Sequence, residues 1–368
     1  MSGGYFLNHS VGLYPDKARE MAEVAAAFAE IWSAPDDRHW PRVLPARAEF
    51  VALWEALIAA PPGSVTTAES VTAALSSVLG ALPDARLSGR RVLVAADCFP
   101  SLHFLLSGLA ERRGFTLETV PLRAGETWVR EEDVIARLGE DVAMTLVTLV
   151  TSTAGYRADL DTLLPAIRAS GSLIALDLTQ GVGVVPVSCE ALAPDIAVST
   201  SLKWLCGAPG AGILHVAPAL LPECRPELRG WFSQPDPFSW DLDGFAYAED
   251  ARRFDAGTPA PLPAIASVPG LRWQAAQGSA ALLDHAQSLC DAILDCTRLA
   301  PATPKDRARR GGSVMLHLGD AAPGRVVAEL KAEGIFADAR GPLLRLSPGA
   351  TTAMDDVERV LAVLGRIA

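Results

Sequence analysis

The chain has 368 residues, of which 50% are hydrophobic, and its mean hydropathy is +0.23. Such a chain can bury a large core, so we expect a soluble globular protein. The formal net charge of −11, spread without long runs, argues against nucleic acid or an anionic membrane as a partner, which leaves a small molecule as the expected one.

The first two thirds of the sequence predict alternating helices and strands. Helical periodicity occurs over 16–32 and 47–60, and a polar, proline-bearing stretch at 33–45 is predicted to separate the two helices. Further helices are predicted over 66–82, 101–114, 131–139 and 159–170. Apolar strands are predicted over 90–97, 115–122, 142–150, 172–177, 196–200 and 212–216. This order predicts an α/β fold with three α/β/α layers around a mostly parallel sheet.

The pattern changes after residue 262. A long helix is predicted over about 264–298, followed by an arginine-rich loop, and the remaining elements are a strand at 313–318, a helix at 324–334, a strand at 342–347 and a final helix. We therefore predict a large domain over 51–262 and a small α/β domain. The small domain is expected to be discontinuous, formed by 1–50 and 263–368.

The six cysteines occur singly, without a CxxC pair or a close histidine, so neither a zinc site nor a disulfide framework is indicated. The amino-terminal residues lack a basic segment followed by an apolar one, and no window approaches the roughly 18 uninterrupted apolar residues of a membrane span. We expect a cytoplasmic protein with reduced thiols.

Two ionisable side chains follow neighbouring predicted strands. Asp177 ends the strand 172–177, and Lys203 comes three residues after the strand 196–200, beside apolar Leu202 and Trp204. Ligands in open α/β sheets bind outside the carboxyl ends of the strands. Burial would lower the pKa of a lysine there, as an imine-forming amine requires. A turn-capping aspartate and a surface lysine are the alternatives.

Two further segments lie at the start of a predicted helix or after the end of a predicted strand. Ser70, Val71 and Thr72 lie near the start of a helix, where free N–H groups favour phosphate, although ordinary N-capping explains the same residues. Phe99 follows the strand 90–97, where its ring can stack on a planar ligand or simply pack in the core. An amine, a carboxylate, an aromatic ring and a phosphate site together indicate pyridoxal 5′-phosphate.

The sequence resembles fold type I pyridoxal-phosphate enzymes of the aminotransferase class V family, and within it the kynureninase-like branch. The resemblance covers nearly the whole chain. It rests on these segments in this order: "YFLNHSVGLYP" (5–15), "FPSLHF" (99–104), "DLTQGVGVVPV" (177–187), "DIAVSTSLKWLCGAPGAGIL" (195–214), "RGWFSQPDPFSW" (229–240), "RRFDAGTPA" (252–260) and "GIFADARGPLLRLSP" (334–348).

The resemblance implies a role for each matching residue. Lys203 would join the cofactor through an imine and then transfer protons at the substrate Cα, while Asp177 would keep the pyridine nitrogen protonated. Arg345 would bind the α-carboxylate of an amino-acid substrate, with a surface arginine as the alternative. The other cofactor contacts implied are Gln180 near O3′, Phe99 on the ring, Ser70, Val71, Thr72 and Thr200 or Ser201 at the phosphate, and Thr258 at the phosphate of the partner subunit in a homodimer with interfacial sites.

Departures from the branch leave the reaction open. Kynureninases usually have a tyrosine before the lysine and a histidine three residues after the aspartate, where this chain has Leu202 and Gln180. Side-chain hydrolysis, β- or γ-elimination and transamination all remain possible, and Trp231, Phe232, Trp240 and His103 either line the side-chain pocket or serve only packing or surface roles.

The sequence fits three other functions less well. A cysteine desulfurase is disfavoured because no cysteine lies between Cys296 and Arg345. A nicotinamide dehydrogenase would need a GxGxxG turn after an early strand, and "AADCFPS" has none. A non-catalytic homodimer that serves as a scaffold is the remaining alternative, but it would have no need of Lys203, Asp177 and Arg345 together.

Overall fold

The computed structural model describes residues 4–367. The α-helices are α1 Lys17–Ser33, α2 His39–Leu57, α3 Val71–Ala81, α4 Asp84–Leu87, α5 Pro100–Arg113, α6 Glu131–Ile135, α7 Leu160–Ala169, α8 Cys189–Leu192, α9 Pro261–Gln277, α10 Ser279–Cys296, α11 Pro323–Ala332 and α12 Met354–Ile367. The strands are β1 Gly4–Tyr5, β2 Val65–Ala68, β3 Arg91–Ala95, β4 Thr116–Val120, β5 Val142–Thr148, β6 Leu173–Asp177, β7 Ile196–Thr200, β8 Gly212–Val216, β9 Val314–His317, β10 Ile335–Phe336, β11 Asp338–Arg340 and β12 Leu343–Leu346.

The large sheet has seven strands in the order β2-β8-β7-β6-β5-β3-β4. The five strands β3 to β7 are parallel to one another, and β8 and β2 are antiparallel to their neighbours. Strands β6, β7 and β8 are buried along their whole length, as expected where helices cover both faces of a sheet. The predicted α/β class with a mostly parallel sheet is confirmed.

Two hydrophobic clusters pack against this sheet. One includes Trp54, Ile174 and Leu205, and the other includes Leu75, Val94 and Leu106. Strands β6 and β7 are adjacent in this sheet, with Asp177 opposite Val198. The carboxyl ends of β3, β5, β6 and β7 consequently meet at one edge, where the residues after each strand come together.

The later part of the chain forms two small sheets. Strand β12 lies between β11 and β9 in a three-stranded antiparallel sheet, and β10 pairs with β1 near the amino terminus. A third hydrophobic cluster, which includes Phe6, Ile293 and Val360, packs on these strands. Within residues 4–367 no helix is long and apolar enough to cross a membrane.

Three predicted elements differ in the structure. The helix predicted over 66–82 begins only at Val71, because β-branched Val65, Thr66 and Thr67 pair with β8 as an edge strand. The helix predicted over 264–298 is interrupted at Gly278, whose φ of +81° is incompatible with a continuous helix. The proline-bearing stretch does not separate the first helices over its full length, since α2 begins at His39 and contains Pro45.

Candidate active site

A cavity of about 350 Å³ opens at the carboxyl ends of the parallel strands. Asp177 at the end of β6 and Lys203 after β7 both line it, together with Thr200 and Phe99. The other lining residues are Glu69, Ser70, Val71, Thr72, Ser101, Leu102, Ser152, Thr179, Leu202 and Gly210. The structure therefore brings into one cavity the four groups that the sequence placed at separate strand and helix ends.

Asp177 is a buried residue of the cavity lining, with 3% of its surface exposed. Its Oδ1 accepts a hydrogen bond of 3.0 Å from the backbone N–H of Thr179. Burial raises the pKa of the Asp177 carboxyl, and the hydrogen bond from the Thr179 backbone N–H and the charge of Lys203 oppose that rise. A carboxylate in this position is stabilised by any cationic N–H donor that enters the cavity.

Lys203 is half-buried, and its Nζ lies 5.3 Å from the centre of the Phe99 ring. Burial lowers the pKa of the Lys203 ammonium, Asp177 acts in the opposite direction, and the charge of Arg345 lowers it further. A larger fraction of the amine is therefore neutral than on a surface lysine, and a neutral amine is the form that acts as a nucleophile or base.

The backbone around Lys203 is held by an amino-terminal segment. The Gly12 N–H donates to the Leu202 carbonyl oxygen at 2.9 Å. A Cβ on Gly12 would lie 1.8 Å from the Lys203 carbonyl oxygen, so only glycine allows this approach. Cys206 then adopts a φ of +57°, a left-handed conformation that is uncommon outside glycine and that turns the chain back after Lys203.

The start of helix α3 also lines the cavity. Ser70 is the N-cap, and its Oγ accepts the Ala73 N–H at 3.1 Å. Val71 and Thr72 occupy the first turn, where backbone N–H groups have no partner inside the helix. With Thr200 at the end of β7, this first turn offers N–H and hydroxyl donors to an anion.

Gln180 and Ser201 lie outside the cavity lining, although both were predicted to contact the cofactor. The Gln180 amide donates to the His9 carbonyl oxygen at 3.0 Å and accepts from Trp204 Nε1 at 3.1 Å. The Ser201 hydroxyl is fully buried and accepts from Trp54 Nε1 at 3.1 Å. Both side chains hold the Lys203 loop against its surroundings.

Arg345 and Thr258 also lie outside the residues that line the cavity. Arg345 is buried on β12, directly opposite Asp338 of β11, and its charge acts on Lys203. Thr258 is exposed on the segment between residues 254 and 261. Its predicted contact is with a second subunit, so it stays a prediction.

The aromatic residues considered for the side-chain pocket lie elsewhere. Trp231 and Phe232 pack edge to face at 4.6 Å between ring centres, and Trp231 also meets Trp40. Trp240 is 90% exposed, and His103 bonds to the Thr119 hydroxyl at 2.9 Å. None of these side chains lines the cavity around Lys203.

Sequence reasoning missed several residues of this region. Thr179, Ser101 and Ser152 line the cavity, and the Thr179 hydroxyl is buried without a hydrogen-bond partner among residues 4–367. Their signal was present, since hydroxyl residues that follow strand ends fall at the same edge of the sheet. His9 and Asp338 lie in the segments 5–15 and 334–348, but nothing in the sequence indicated that they would meet.

The donor set fits pyridoxal phosphate. A cavity of about 350 Å³ lies within the usual range for small-molecule sites, roughly 300–1,000 Å³. It carries a carboxylate, an amine beside an aromatic ring, and a helix start with hydroxyl residues. The unpaired Thr179 hydroxyl next to Asp177 is an additional polar group for a ligand to satisfy.

Comparisons with known proteins agree with this geometry. A family model described as "Aminotransferase class-V" matches residues 53–343, which confirms the resemblance found in the sequence. Kynureninase of Deinococcus radiodurans is 29% identical over 355 residues, covering 92% of this chain and 83% of that protein.

Two solved structures show the same fold. The apo structure of cysteine desulfurase from Thermococcus onnurineus NA1 has a TM-score of 0.86 at 19% identity, covering 99% of this chain and 94% of that one. A C-DES mutant with glycine covalently linked to its pyridoxal-phosphate cofactor has a TM-score of 0.88 at 18% identity, covering 100% and 97%.

Proposed function

The chain belongs to the aminotransferase class-V family of pyridoxal-phosphate-dependent enzymes, and on that basis we propose that it removes the Cα proton of an α-amino acid with Lys203. The observation that carries this proposal is the shared cavity of Lys203 and Asp177 at adjacent strand ends. A scaffold protein would not need a partly buried amine and a buried carboxylate facing one cavity, since both are costly to desolvate.

The bound cofactor supplies an electron sink for negative charge that develops at the Cα atom. Asp177 would hold the proton on the ring nitrogen through a charge-assisted hydrogen bond, and the cationic ring nitrogen would offset the cost of burying the carboxylate. Ser70, Val71, Thr72 and Thr200 would hold the phosphate, and Phe99 would keep the ring plane fixed beside Lys203.

Lys203 would then move the Cα proton. Its lowered pKa keeps part of the amine neutral, so the nitrogen can accept the proton and return it to the substrate or product. Arg345 would hold the α-carboxylate and thereby fix which Cα substituent faces Lys203. The reactions that this arrangement supports are cleavage or elimination at the side chain and transamination.

Among these reactions we propose a kynureninase-like cleavage or elimination as the first to test, because of the identity to a kynureninase over 92% of this chain. A desulfurase that uses a cysteine nucleophile is not supported. No cysteine lines the cavity within the described residues, and burial raises the pKa of Cys98, the residue before Phe99, to about 12. A thiol in that state is a poor nucleophile at neutral pH.

We also propose a homodimer whose sites lie near the subunit interface. Two observations support it: none of the side chains of α1 is buried in the single chain, and Thr258 is exposed close to the start of α9. Sedimentation of the purified protein would report the mass directly. A monomer would contradict the proposal that Thr258 reaches a partner's phosphate.

The visible spectrum of the purified protein tests the main proposal. We expect a yellow absorption band that borohydride abolishes and that Lys203→Ala lacks. The protein is then incubated with L-kynurenine and with a panel of amino acids, and alanine, ammonia and pyruvate are measured. A colourless protein that ignores added pyridoxal phosphate would overturn the proposal in favour of a scaffold. Turnover by Lys203→Ala equal to that of the wild type would remove Lys203 from the reaction.

A further inference from the structure

Arg345 is held by a neighbour that was not among the predicted site residues. Its Nε donates to Asp338 Oδ1 at 2.8 Å, and its Nη2 donates to Asp338 Oδ2. The two residues are directly opposite each other in the antiparallel pair β11–β12, so the register of the strands sets the contact. Asp338 therefore occupies one complete edge of the guanidinium group.

A guanidinium group has two edges that can each bind a carboxylate with two parallel hydrogen bonds. The edge formed by Nε and Nη2 is used by Asp338. The other edge contains Nη1, from which no atom of residues 4–367 accepts a hydrogen bond. This second edge is the one left for an anionic ligand, and its direction is fixed by the first.

Asp338 is itself held from the other side. His9 Nε2 lies 3.2 Å from Asp338 Oδ1, the same oxygen that accepts from Arg345. His9 Nδ1 lies 2.8 Å from the Ser347 hydroxyl, and the His9 carbonyl oxygen accepts from Gln180 beside the cavity. Although burial raises the pKa of the Asp338 carboxyl, its contact with His9 and its hydrogen bonds from the Arg345 guanidinium outweigh burial and hold that pKa well below its usual range. Asp338 is thus a fixed carboxylate between the two.

We propose that Asp338 is a positioning residue that orients Arg345 so that its Nη1 edge receives the α-carboxylate of the substrate, with His9 fixing Asp338. This inference rests on the proposed function, in which Arg345 binds that carboxylate. It also accounts for why an arginine already bonded to one carboxylate can still bind another.

The test compares two ligands that differ only in the carboxylate. L-Alanine and ethylamine are titrated into the holoenzyme, and their Kd values are read from the change in the absorption band of the cofactor. The wild type should bind L-alanine more tightly than ethylamine. Asp338→Asn should reduce this preference by about tenfold or more, since a displacement near 1 Å of a positioned group costs up to about a hundredfold. The Kd for ethylamine should stay within about twofold of the wild type, because ethylamine makes no contact with Arg345.

Asp141→Asn is the matched control. Arg91 donates to Asp141 from Nε at 2.6 Å and from Nη2 at 2.7 Å, the same two nitrogens that Arg345 uses with Asp338, but Arg91 lies at the start of β3, away from the cavity. The Asp141→Asn variant should leave both Kd values unchanged. If Asp338→Asn does not fold, Asp338→Glu decides, because its longer side chain keeps the charge but shifts Arg345.

The outcomes separate the inference from the proposed function. If Arg345→Ala loses the preference for L-alanine and Asp338→Asn keeps it, Asp338 does not position Arg345 and the inference is overturned alone. If Asp338→Asn weakens both ligands equally, its role is only structural, which also overturns the inference. A wild type without the preference, or an Arg345→Ala variant that retains it, would overturn the carboxylate-binding role of Arg345 itself.

Discussion

Replacing Gly12 by alanine should damage the active site without touching any ionisable group. The new Cβ would lie 1.8 Å from the Lys203 carbonyl oxygen and 2.9 Å from Cys206 Sγ. Both atoms belong to a loop in which Trp204 and Leu205 are buried, so the loop has little room to move. The amino-terminal segment must therefore withdraw, and the 2.9 Å hydrogen bond from Gly12 N–H to Leu202 is lost.

The expected loss of stability follows from the steric contact of the new Cβ and from the lost hydrogen bond. Overpacking a tight contact costs about 1–3 kcal/mol, and the lost hydrogen bond costs about 0.5–1.5 kcal/mol. Gly12→Ala should thus lower the free energy of unfolding by roughly 2–4 kcal/mol, which a domain with about 5–15 kcal/mol of stability can survive. The variant should fold, but Lys203 should be displaced from its position beside Phe99.

Chemical denaturation and the visible absorption band of the bound cofactor measure the two consequences. The control is Gly108→Ala within α5, where the added Cβ meets no atom within 4 Å and should add about 0.5–1 kcal/mol of helix stability. A Gly12→Ala variant with wild-type stability would refute the steric argument. Lower stability with an unchanged band and unchanged kcat would refute the link between this segment and Lys203.

Three other perturbations have expected results. Asp177→Asn should retain the cofactor but lower kcat/KM roughly tenfold to a hundredfold, because it removes a charge-assisted hydrogen bond worth about 1.5–3 kcal/mol; full activity would exclude Asp177 from the reaction. Asp255→Ala should lower the free energy of unfolding by about 3–5 kcal/mol by leaving the buried Arg47 without its 2.8 Å partner, and denaturant unfolding that shows less than 1 kcal/mol would contradict this. Burial lowers the pKa of His215 to about 4, so the unfolded chain takes up this proton first and stability falls as the pH drops from 6.5 towards 4. His215→Gln should lose that part of the pH dependence in urea titrations, and an identical pH profile would count against it.

The fold was largely predictable because its strands are apolar along their length and alternate with helices. The parallel order of β3 to β7 follows from that alternation, and with it the meeting of Asp177 and Lys203 at one edge. Strand β2 was missed because four residues, Val65–Ala68, become a strand only by pairing with β8, which lies about 150 residues later. The break at Gly278 was missed because helix-forming residues continue on both sides of it, and it is the backbone conformation of Gly278 that ends α9.

Within the site, the sequence could not show which polar atoms are already hydrogen-bonded to other residues of the folded chain. Gln180 falls three residues after Asp177, at the same end of β6, and the family resemblance implied that it lies near O3′ of the cofactor. In the folded chain its amide is already hydrogen-bonded to Trp204 and to His9, which lies near the amino terminus of the sequence. The same holds for Arg345, whose usable edge is decided by Asp338 on the neighbouring strand. Local pattern therefore predicts which residues follow the strand ends, whereas the partners that three-dimensional packing supplies decide which of their polar atoms remain for a ligand.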